Sequence, residues 1–169
     1  MQNLIIRITQ ENINILNCKE YRCFILAENL SFDFMESFIC KAHQLNKLVL
    51  IADAAEIYLK LKADGIVIDC SKDEKPQIVV KALKQKMPQA IIGVISRNRR
   101  HEAMIISECE PDFIIFNVWH DGFEHTKELI GWYNELFLIQ CAAQINEEVN
   151  YKLLPCDFVI LDDKKTLQN

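Results

Sequence analysis

Several apolar segments of this 169-residue chain are followed directly by carboxylates. Asp53 is the best placed for chemistry, since it comes after the apolar run 48–52 and opens a helical segment. Glu28, Asp69 and Asp162 follow other apolar runs. Oxygen atoms are the ligands that Mg²⁺ prefers, so we predict that Asp53 holds a magnesium ion. A helix N-cap is the structural alternative for Asp53, and a solvated polar surface is the alternative for the other carboxylates.

Cations are concentrated in residues 96–102, which read Ser-Arg-Asn-Arg-Arg-His-Glu. A helix is expected to begin here, and cations at a helix N-terminus oppose the helix dipole. A phosphate would turn this conflict into attraction, because free helix N–H groups and guanidinium groups would then point at one anion. We therefore predict that Arg97 and Arg99 bind phosphate. The alternative is that both side chains simply extend into solvent.

A longer polar segment, residues 119–127, supplies imidazoles and a further cation. His120 is predicted to serve as a general acid or base, and Lys127 to contact a phosphate. His120 and His125 have no third zinc ligand near them in the sequence, so a zinc site is poorly supported. The chain also lacks Gly-x-Gly-x-x-Gly, Walker and Gly-x-Ser-x-Gly motifs, so nucleotide-binding and hydrolase functions lack their usual support.

Short β-branched or aromatic runs that could position these residues recur along the whole chain. From the second run onward they are separated by segments with helical periodicity, such as the stripe Met35, Phe38, Ile39 and Ala42, which Ser31 is placed to cap. Strands that are apolar on both faces and alternate with helices predict a parallel sheet covered by helices. The predicted strands are 4–9, 23–27, 47–52, 65–70, 90–96, 112–117, 137–141 and 157–162.

A weak internal repeat suggests how the sheet is closed. Asp64, Asp112 and Asp157 each stand between a helix end and a strand, with one further strand in each interval. A unit of two βα pairs is typical of a (βα)8 TIM barrel, which is the predicted fold. A doubly wound open sheet is the alternative, and ordinary turn chemistry could also place aspartates before strands. In both folds, ligands bind at the carboxyl ends of the strands.

The length of the chain constrains this barrel. Residues 1–169 are predicted to form one domain, whereas eight βα units ordinarily need roughly 200–250 residues. Helix 1 must be abbreviated and helix 8 must be lacking. These helices would otherwise cover strands 1 and 8, which are apolar on both faces, and large apolar patches are rarely left in water. We therefore predict a homodimer formed through strands 1 and 8.

Composition narrows the functional class. The formal charge of −5 argues against a surface built for nucleic acid. Seven cysteines without a Cys-x-x-Cys pair favour free thiols in a reducing compartment. The N-terminal apolar stretch is short for a signal peptide, and no apolar run approaches the ~20 residues of a membrane span. The expected protein is cytoplasmic and binds neither nucleic acid nor membrane.

Three segments resemble a known enzyme family: Leu-Val-Leu-Ile-Ala-Asp at 48–53, Leu-Lys-Ala-Asp-Gly-Ile-Val-Ile at 61–68, and Ala-Ile-Ile-Gly-Val at 90–94. They are similar to thiamine phosphate synthase and its relative, the thiazole tautomerase. That family is a (βα)8 barrel, and its synthase is a transferase that joins a pyrimidine diphosphate to a thiazole phosphate with Mg²⁺ and releases pyrophosphate. The resemblance implies that Asp53 binds Mg²⁺, that Ser96 hydrogen-bonds the diphosphate, and that Thr126 and Lys127 contact the pyrophosphate.

Other positions depart from the family pattern. The strand-2 Arg-x-Lys that holds the diphosphate reads Leu26-Ala27-Glu28, and the strand-7 Gly-Gly reads Ala142-Ala143. Two hypotheses stay open. In the first, a divergent, thiamine phosphate synthase-like barrel joins or binds phosphorylated pyrimidine or thiazole compounds of thiamine metabolism, with His120 and Ser96 as catalytic residues. In the second, a catalytically degenerate barrel, a pseudoenzyme, serves as a dimeric binding or scaffold module.

Overall fold

A computed structural model describes residues 2–146 and 149–166 of the chain. Eight parallel strands form a closed barrel in sequential order, with the last strand paired to the first. This closure confirms the predicted (βα)8 barrel, because a doubly wound sheet has two open edges. The strands are β1 (Asn3–Ile8), β2 (Cys23–Leu26), β3 (Leu48–Ala52), β4 (Gly65–Asp69), β5 (Ile91–Ser96), β6 (Phe113–Asn117), β7 (Gln140–Ile145) and β8 (Phe158–Asp162).

Helices connect the strands and surround the barrel. The stripe predicted for the first of them is confirmed, since Met35, Phe38, Ile39 and Ala42 are all buried and Ser31 Oγ accepts a hydrogen bond from Phe34 N at 3.3 Å. The helices are α1 (Phe32–Gln44), α2 (Ala55–Leu61), α3 (Pro76–Lys86), α4 (Arg100–Ser107), α5 (Val118–Asp121), α6 (Phe123–Leu136) and α7 (Asp163–Thr166), and 3₁₀ turns span Ile13–Asn17 and Tyr151–Leu153.

Strand β7 lies several residues later than the predicted segment 137–141. Phe137 ends helix α6 by stacking its ring on Tyr133, with 4.8 Å between centroids, and Leu138 is fully exposed. The apolar run at 137–139 therefore belongs mainly to the helix end and its loop. The strand itself is built from small and polar residues of the segment Gln140–Ile145.

The three repeated aspartates have one shared structural role. The Asp64 carboxylate accepts the backbone N–H of Val49 at 2.8 Å, and Asp112 accepts that of Ile92 at 2.7 Å. Asp157 accepts that of Cys141 at 2.9 Å. Each aspartate thus precedes an even-numbered strand and holds the start of the odd-numbered strand beside it. The repeat stabilises the amino-terminal end of the barrel, which in this fold is the end associated with stability.

The seam between β8 and β1 fits the predicted abbreviation of helix 1, since the 3₁₀ turn Ile13–Asn17 stands in its place. Helix 8 was predicted to be lacking, whereas the described residues include the helical turn α7 (Asp163–Thr166) after β8. The outward side chains of Ile6, Ile8 and Val159 are nevertheless fully buried within the described chain. Leu4 and Leu161 are left partly exposed, so the apolar patch is smaller than expected and the homodimer stays a prediction.

Asp163 fastens the same seam at the opposite end of the barrel. Its buried carboxylate accepts hydrogen bonds from Thr9 N at 3.0 Å, Thr9 Oγ1 at 2.6 Å and Gln10 N at 3.2 Å.

All seven cysteines are unpaired. Among the described residues, none of the helices is both long and apolar enough to cross a bilayer.

Candidate functional site

A cavity of about 200 Å³ opens at the carboxyl ends of the strands. We call it the mouth cavity. Its floor is apolar, and the residues above the floor are polar or aromatic. The floor is formed by Ile25, Ala52, Val67 and Ile95, and the remaining lining residues are Arg7, Glu28, Asp53, Asp69, Asn117, Trp119 and Gln144.

Strand alternation explains why these side chains point inward. Successive residues of a strand face opposite sides of the sheet, and Ile5, Ile115 and Ala142 belong to the core inside the barrel. Arg7, Asn117 and Gln144 come two residues after them, so they face the same interior at the open end. Sequence reasoning did not single out Arg7 or Gln144, although the same two-residue period was available to identify them.

Asp53 occupies an unusual backbone position at the edge of the cavity. Its φ of 49° lies in the left-handed region, where residues other than glycine are uncommon, and its N–H donates to Val67 O at 2.7 Å. The N-cap of α2 is Ala54, and no side chain caps that helix. The helix-capping alternative therefore does not account for Asp53. Asn46, Lys62 and Glu110 also have positive φ, and of these four residues only Asp53 lines the cavity.

The electrostatic surroundings of Asp53 are acidic. Partial burial raises the pKa of its carboxyl, the charges of Glu28, Asp69 and Asp73 raise it further, and a hydrogen bond from the backbone N–H of Asp69 lowers it. Within residues 2–146 and 149–166, no three His, Cys, Asp or Glu side chains are grouped as a complete metal site. The carboxylates suit a Mg²⁺ ion that takes its remaining ligands from water and phosphate oxygens, as Mg²⁺ commonly does.

Asn117 brings a buried amide to the cavity. Its side chain is 4% exposed, and Oδ1 has no hydrogen-bond donor within the described residues. The neighbouring Asn98 is 3% exposed and donates from Nδ2 to the backbone carbonyl of Asn117 at 2.7 Å, which leaves the side-chain Oδ1 of Asn117 without a donor in the described part of the chain. A buried carbonyl without a donor costs about 1–3 kcal/mol. The end of β6 therefore offers the cavity an acceptor that the protein itself does not satisfy.

Ser96 and Thr126 lie away from the cavity. Ser96 is on the outward face of β5, the same face as Val94, and its buried Oγ donates to Arg97 O at 2.9 Å. Thr126 is on the buried face of α6, and its Oγ1 donates to Gly122 O at 2.9 Å. Both hydroxyl groups are enclosed in the layer between barrel and helices, and neither lines the mouth cavity.

The predicted phosphate-binding cations lie on the connection between β5 and α4 and on α6. Arg97 donates from Nε to the carbonyl of Ser71, whose hydroxyl donates to Asp69 at 2.6 Å, so Arg97 is connected to a lining residue. Arg99 is exposed at the N-cap of α4. Lys127 Nζ lies 3.9 Å from Glu124 Oε2, one turn earlier in α6. None of the three lines the cavity.

His120 is exposed on the short helix α5, immediately after the strand end that carries Asn117. Its ring centroid is 5.7 Å from that of Trp119, which lines the cavity. His125 instead lies with Nε2 3.1 Å from Asn98 O. Of the seven residues predicted for the site, only Asp53 lines the cavity. His120 lies next to the lining residue Trp119, and the other five lie away from the cavity.

Two known proteins that this chain is similar to belong to the family that the sequence resembles. A thiamine-phosphate synthase of Erythrobacter litoralis is 30% identical over 113 residues, which cover 62% of this chain and 50% of that protein. One of Hyphomonas neptunium is 35% identical over 108 residues, which cover 60% and 47%. The chain thus spans about half the length of the curated relatives it matches. No family model matches it.

Solved structures share the barrel. A thiamine phosphate pyrophosphorylase from Pyrococcus furiosus superposes with a TM-score of 0.74 at 13% identity, covering 95% of this chain and 85% of that one. An HpcH/HpaI aldolase from Desulfitobacterium hafniense gives 0.71 at 12% identity, covering 99% and 89%. At such identity these matches concern the fold alone. With the two curated relatives, they confirm the resemblance to the thiamine phosphate synthase superfamily.

Proposed function

Because this chain is related to the thiamine phosphate synthase superfamily and shares its barrel fold, we propose that it binds a small phosphorylated molecule of thiamine metabolism at the mouth cavity. Asp53 would hold a Mg²⁺ ion that bridges to the phosphate. The observation that supports this proposal is the position of Asp53 at the cavity edge, where partial burial and the charges of Glu28 and Asp69 raise the pKa of its carboxyl. A divalent cation would relieve this repulsion, and the cavity lining otherwise carries an excess of negative charge.

Each predicted residue has a role in this proposal. Bound Mg²⁺ would neutralise charge on the phosphate oxygens and orient them. Arg97, Arg99 and Lys127 would add positive charge outside the opening and attract the anion from solution. His120, exposed beside Trp119, would exchange protons with a bound ligand. Asp53 would contact the ion directly, whereas the buried Ser96 and Thr126 would support the loops through the hydrogen bonds described above.

A specific observation favours a second candidate function, a binding or scaffold module without catalysis. The two hydroxyls that the family resemblance assigns to the diphosphate are enclosed and already hydrogen-bonded. Glu28 lies where the family has a cation, and it lines the cavity. Positioning of the reacting groups accounts for much of an enzyme's rate enhancement. A barrel without these contacts could keep ligand binding while losing the transferase reaction.

Isothermal titration calorimetry with pyrophosphate tests the metal-dependent site. We expect binding in millimolar Mg²⁺ and none in EDTA, with affinity reduced at least about tenfold in Asp53→Asn, since a charge-assisted contact is worth about 1.5–3 kcal/mol. The control Asp33→Asn removes an exposed carboxylate from the start of α1 and should bind as the wild type does. Equal binding by Asp53→Asn, or no binding at millimolar ligand, would refute the proposal.

Two further measurements test the role of the cations outside the cavity and distinguish the two candidate functions. The double variant Arg97→Ala/Arg99→Ala should weaken Mg²⁺-dependent pyrophosphate binding, and unchanged affinity would remove residues 96–102 from the site. Turnover of a pyrimidine diphosphate together with a thiazole phosphate separates the two candidate functions. Release of pyrophosphate above the rate of a His120→Ala variant supports the transferase, whereas binding without release supports the module.

A further inference from the structure

We propose that the mouth cavity also binds an organic cation directly, a protonated amine or amidinium on a small planar group, without metal or phosphate. The same opening would then accept a positively charged ligand group on its own. The inference does not rest on the proposed phosphate function, because it needs neither Mg²⁺ nor the cations outside the barrel. It rests on charge, on an unsatisfied acceptor and on an aromatic wall.

The charge of the lining is the first argument. Glu28, Asp53 and Asp69 are the carboxylates, and Arg7 is the cation. The Arg7 guanidinium already lies 3.4 Å from Asp162 Oδ1, at the end of the neighbouring strand β8. A cavity lined mainly by one sign of charge attracts ligands of the opposite sign. The acidic lining repels a bare phosphate and attracts an ammonium or amidinium group.

Asn117 supplies the second, independent argument. It is more than nine-tenths buried, its inward position follows from strand alternation after Ile115, and its Oδ1 lacks a donor among the residues described. Buried amide oxygens are almost always hydrogen-bonded, and an exception calls for an explanation. Carboxylates and an amide carbonyl are all acceptors, so the group that satisfies them must be a donor. Amidinium and ammonium groups provide donors and positive charge together.

The shape of the cavity selects the rest of the ligand. Trp119 is 37% exposed and lines one wall, and an indole face attracts cations within about 6 Å of its centroid. Ile25, Val67 and Ile95 form an apolar floor that suits a flat ring. The volume of about 200 Å³ is below the ~300–1,000 Å³ of sites for drug-sized ligands. The ligand is therefore a small, planar cation.

Benzamidine is a suitable probe, and neutral benzamide is its matched control ligand. Titration calorimetry of the full chain in EDTA and phosphate-free buffer should show benzamidine binding at least about tenfold tighter than benzamide, the effect of one charge-assisted contact. Glu28→Gln and Asn117→Ala should each weaken benzamidine binding. Glu36→Gln, an exposed carboxylate change on α1, is the control and should bind as the wild type does. Glu28 is exposed, so its variant tests the site without disturbing the core.

The outcomes separate this inference from the proposed function. Benzamide binding as tightly as benzamidine would overturn it, as would equal losses in Glu28→Gln and Glu36→Gln, or no benzamidine binding at all. None of these results bears on Mg²⁺-dependent pyrophosphate binding, since metal and phosphate are absent. If both ligands use Asp53, then Mg²⁺ should raise the apparent dissociation constant of benzamidine in wild-type protein, and a tighter benzamidine complex in Mg²⁺ would contradict a shared opening.

Discussion

Replacement of Asp53 by asparagine should stabilise the folded protein and weaken its metal-dependent binding. Asparagine keeps the size of the side chain and tolerates the left-handed region, where Asp53 has φ 49°. The substitution removes a partly buried negative charge that also lies near Glu28, Asp69 and Asp73. The fold thus loses an unfavourable interaction, while the cavity loses the carboxylate proposed to hold Mg²⁺. Such opposition between stability and function is common at functional sites.

The sign and the size of the effect follow from the raised pKa. A carboxyl whose pKa is higher in the folded than in the unfolded state destabilises the fold when it is ionised, and the cost disappears below the unfolded pKa, ordinarily 3.8 for aspartate. Asp53 is exposed, so solvent screens each charge pair to about 0.2–1 kcal/mol. A total near 1 kcal/mol corresponds to about 2–4 °C in melting temperature for a chain of this length.

Thermal melts followed by circular dichroism test this reasoning. Asp53→Asn should melt about 2–4 °C above the wild type at pH 7, and the difference should shrink as the pH falls through the folded pKa toward about 4. Asp33→Asn, on the exposed first turn of α1, should show no such gain. A lower melting temperature for Asp53→Asn at pH 7, or a gain that does not depend on pH, would refute the argument from repulsion.

Three further predictions concern the scaffold. Asp112→Ala leaves the N–H of Ile92 without its 2.7 Å partner and should lower the urea-derived free energy of unfolding by about 1–3 kcal/mol, whereas an unchanged value would contradict the role of the repeat. Gly65→Ala places a Cβ 2.1 Å from Ile91 O and should cost about 3 kcal/mol or more, while Gly131→Ala, with open space in α6, should gain about 0.5–1 kcal/mol; equal melting temperatures would count against this packing. Cys40 is the exposed thiol and should react first with a thiol reagent at about pH 8, and burial raises the pKa of Cys141 to about 12, so early labelling of Cys141 would be inconsistent with the structure.

Local patterns were sufficient for most of the scaffold. The α1 stripe and its Ser31 cap depend on neighbours within a few turns, so sequence spacing alone located them. The aspartate repeat indicated a closed barrel, although the strand-to-strand hydrogen bonds that explain it became visible only in three dimensions. The prediction placed β7 too early because the apolar run at 137–139 resembles a strand. In the structure Phe137 instead stacks on Tyr133 at the end of α6, so the run belongs to the helix end and its loop.

For the candidate site, too, the sequence predicted some features and only the tertiary structure showed the others. The sequence by itself determined the alternation of strands and helices and the position of Asp53 at a strand end, because both depend on short-range order along the chain. It did not determine which side chains converge. The family resemblance assigns Ser96 and Thr126 to the site, yet one faces outward from β5 and the other lies on the buried side of α6. Arg7 and Gln144 are far apart in sequence and meet at one opening. Only closure of the sheet decides this, because joining β8 to β1 brings the inward faces of distant strands around a single cavity.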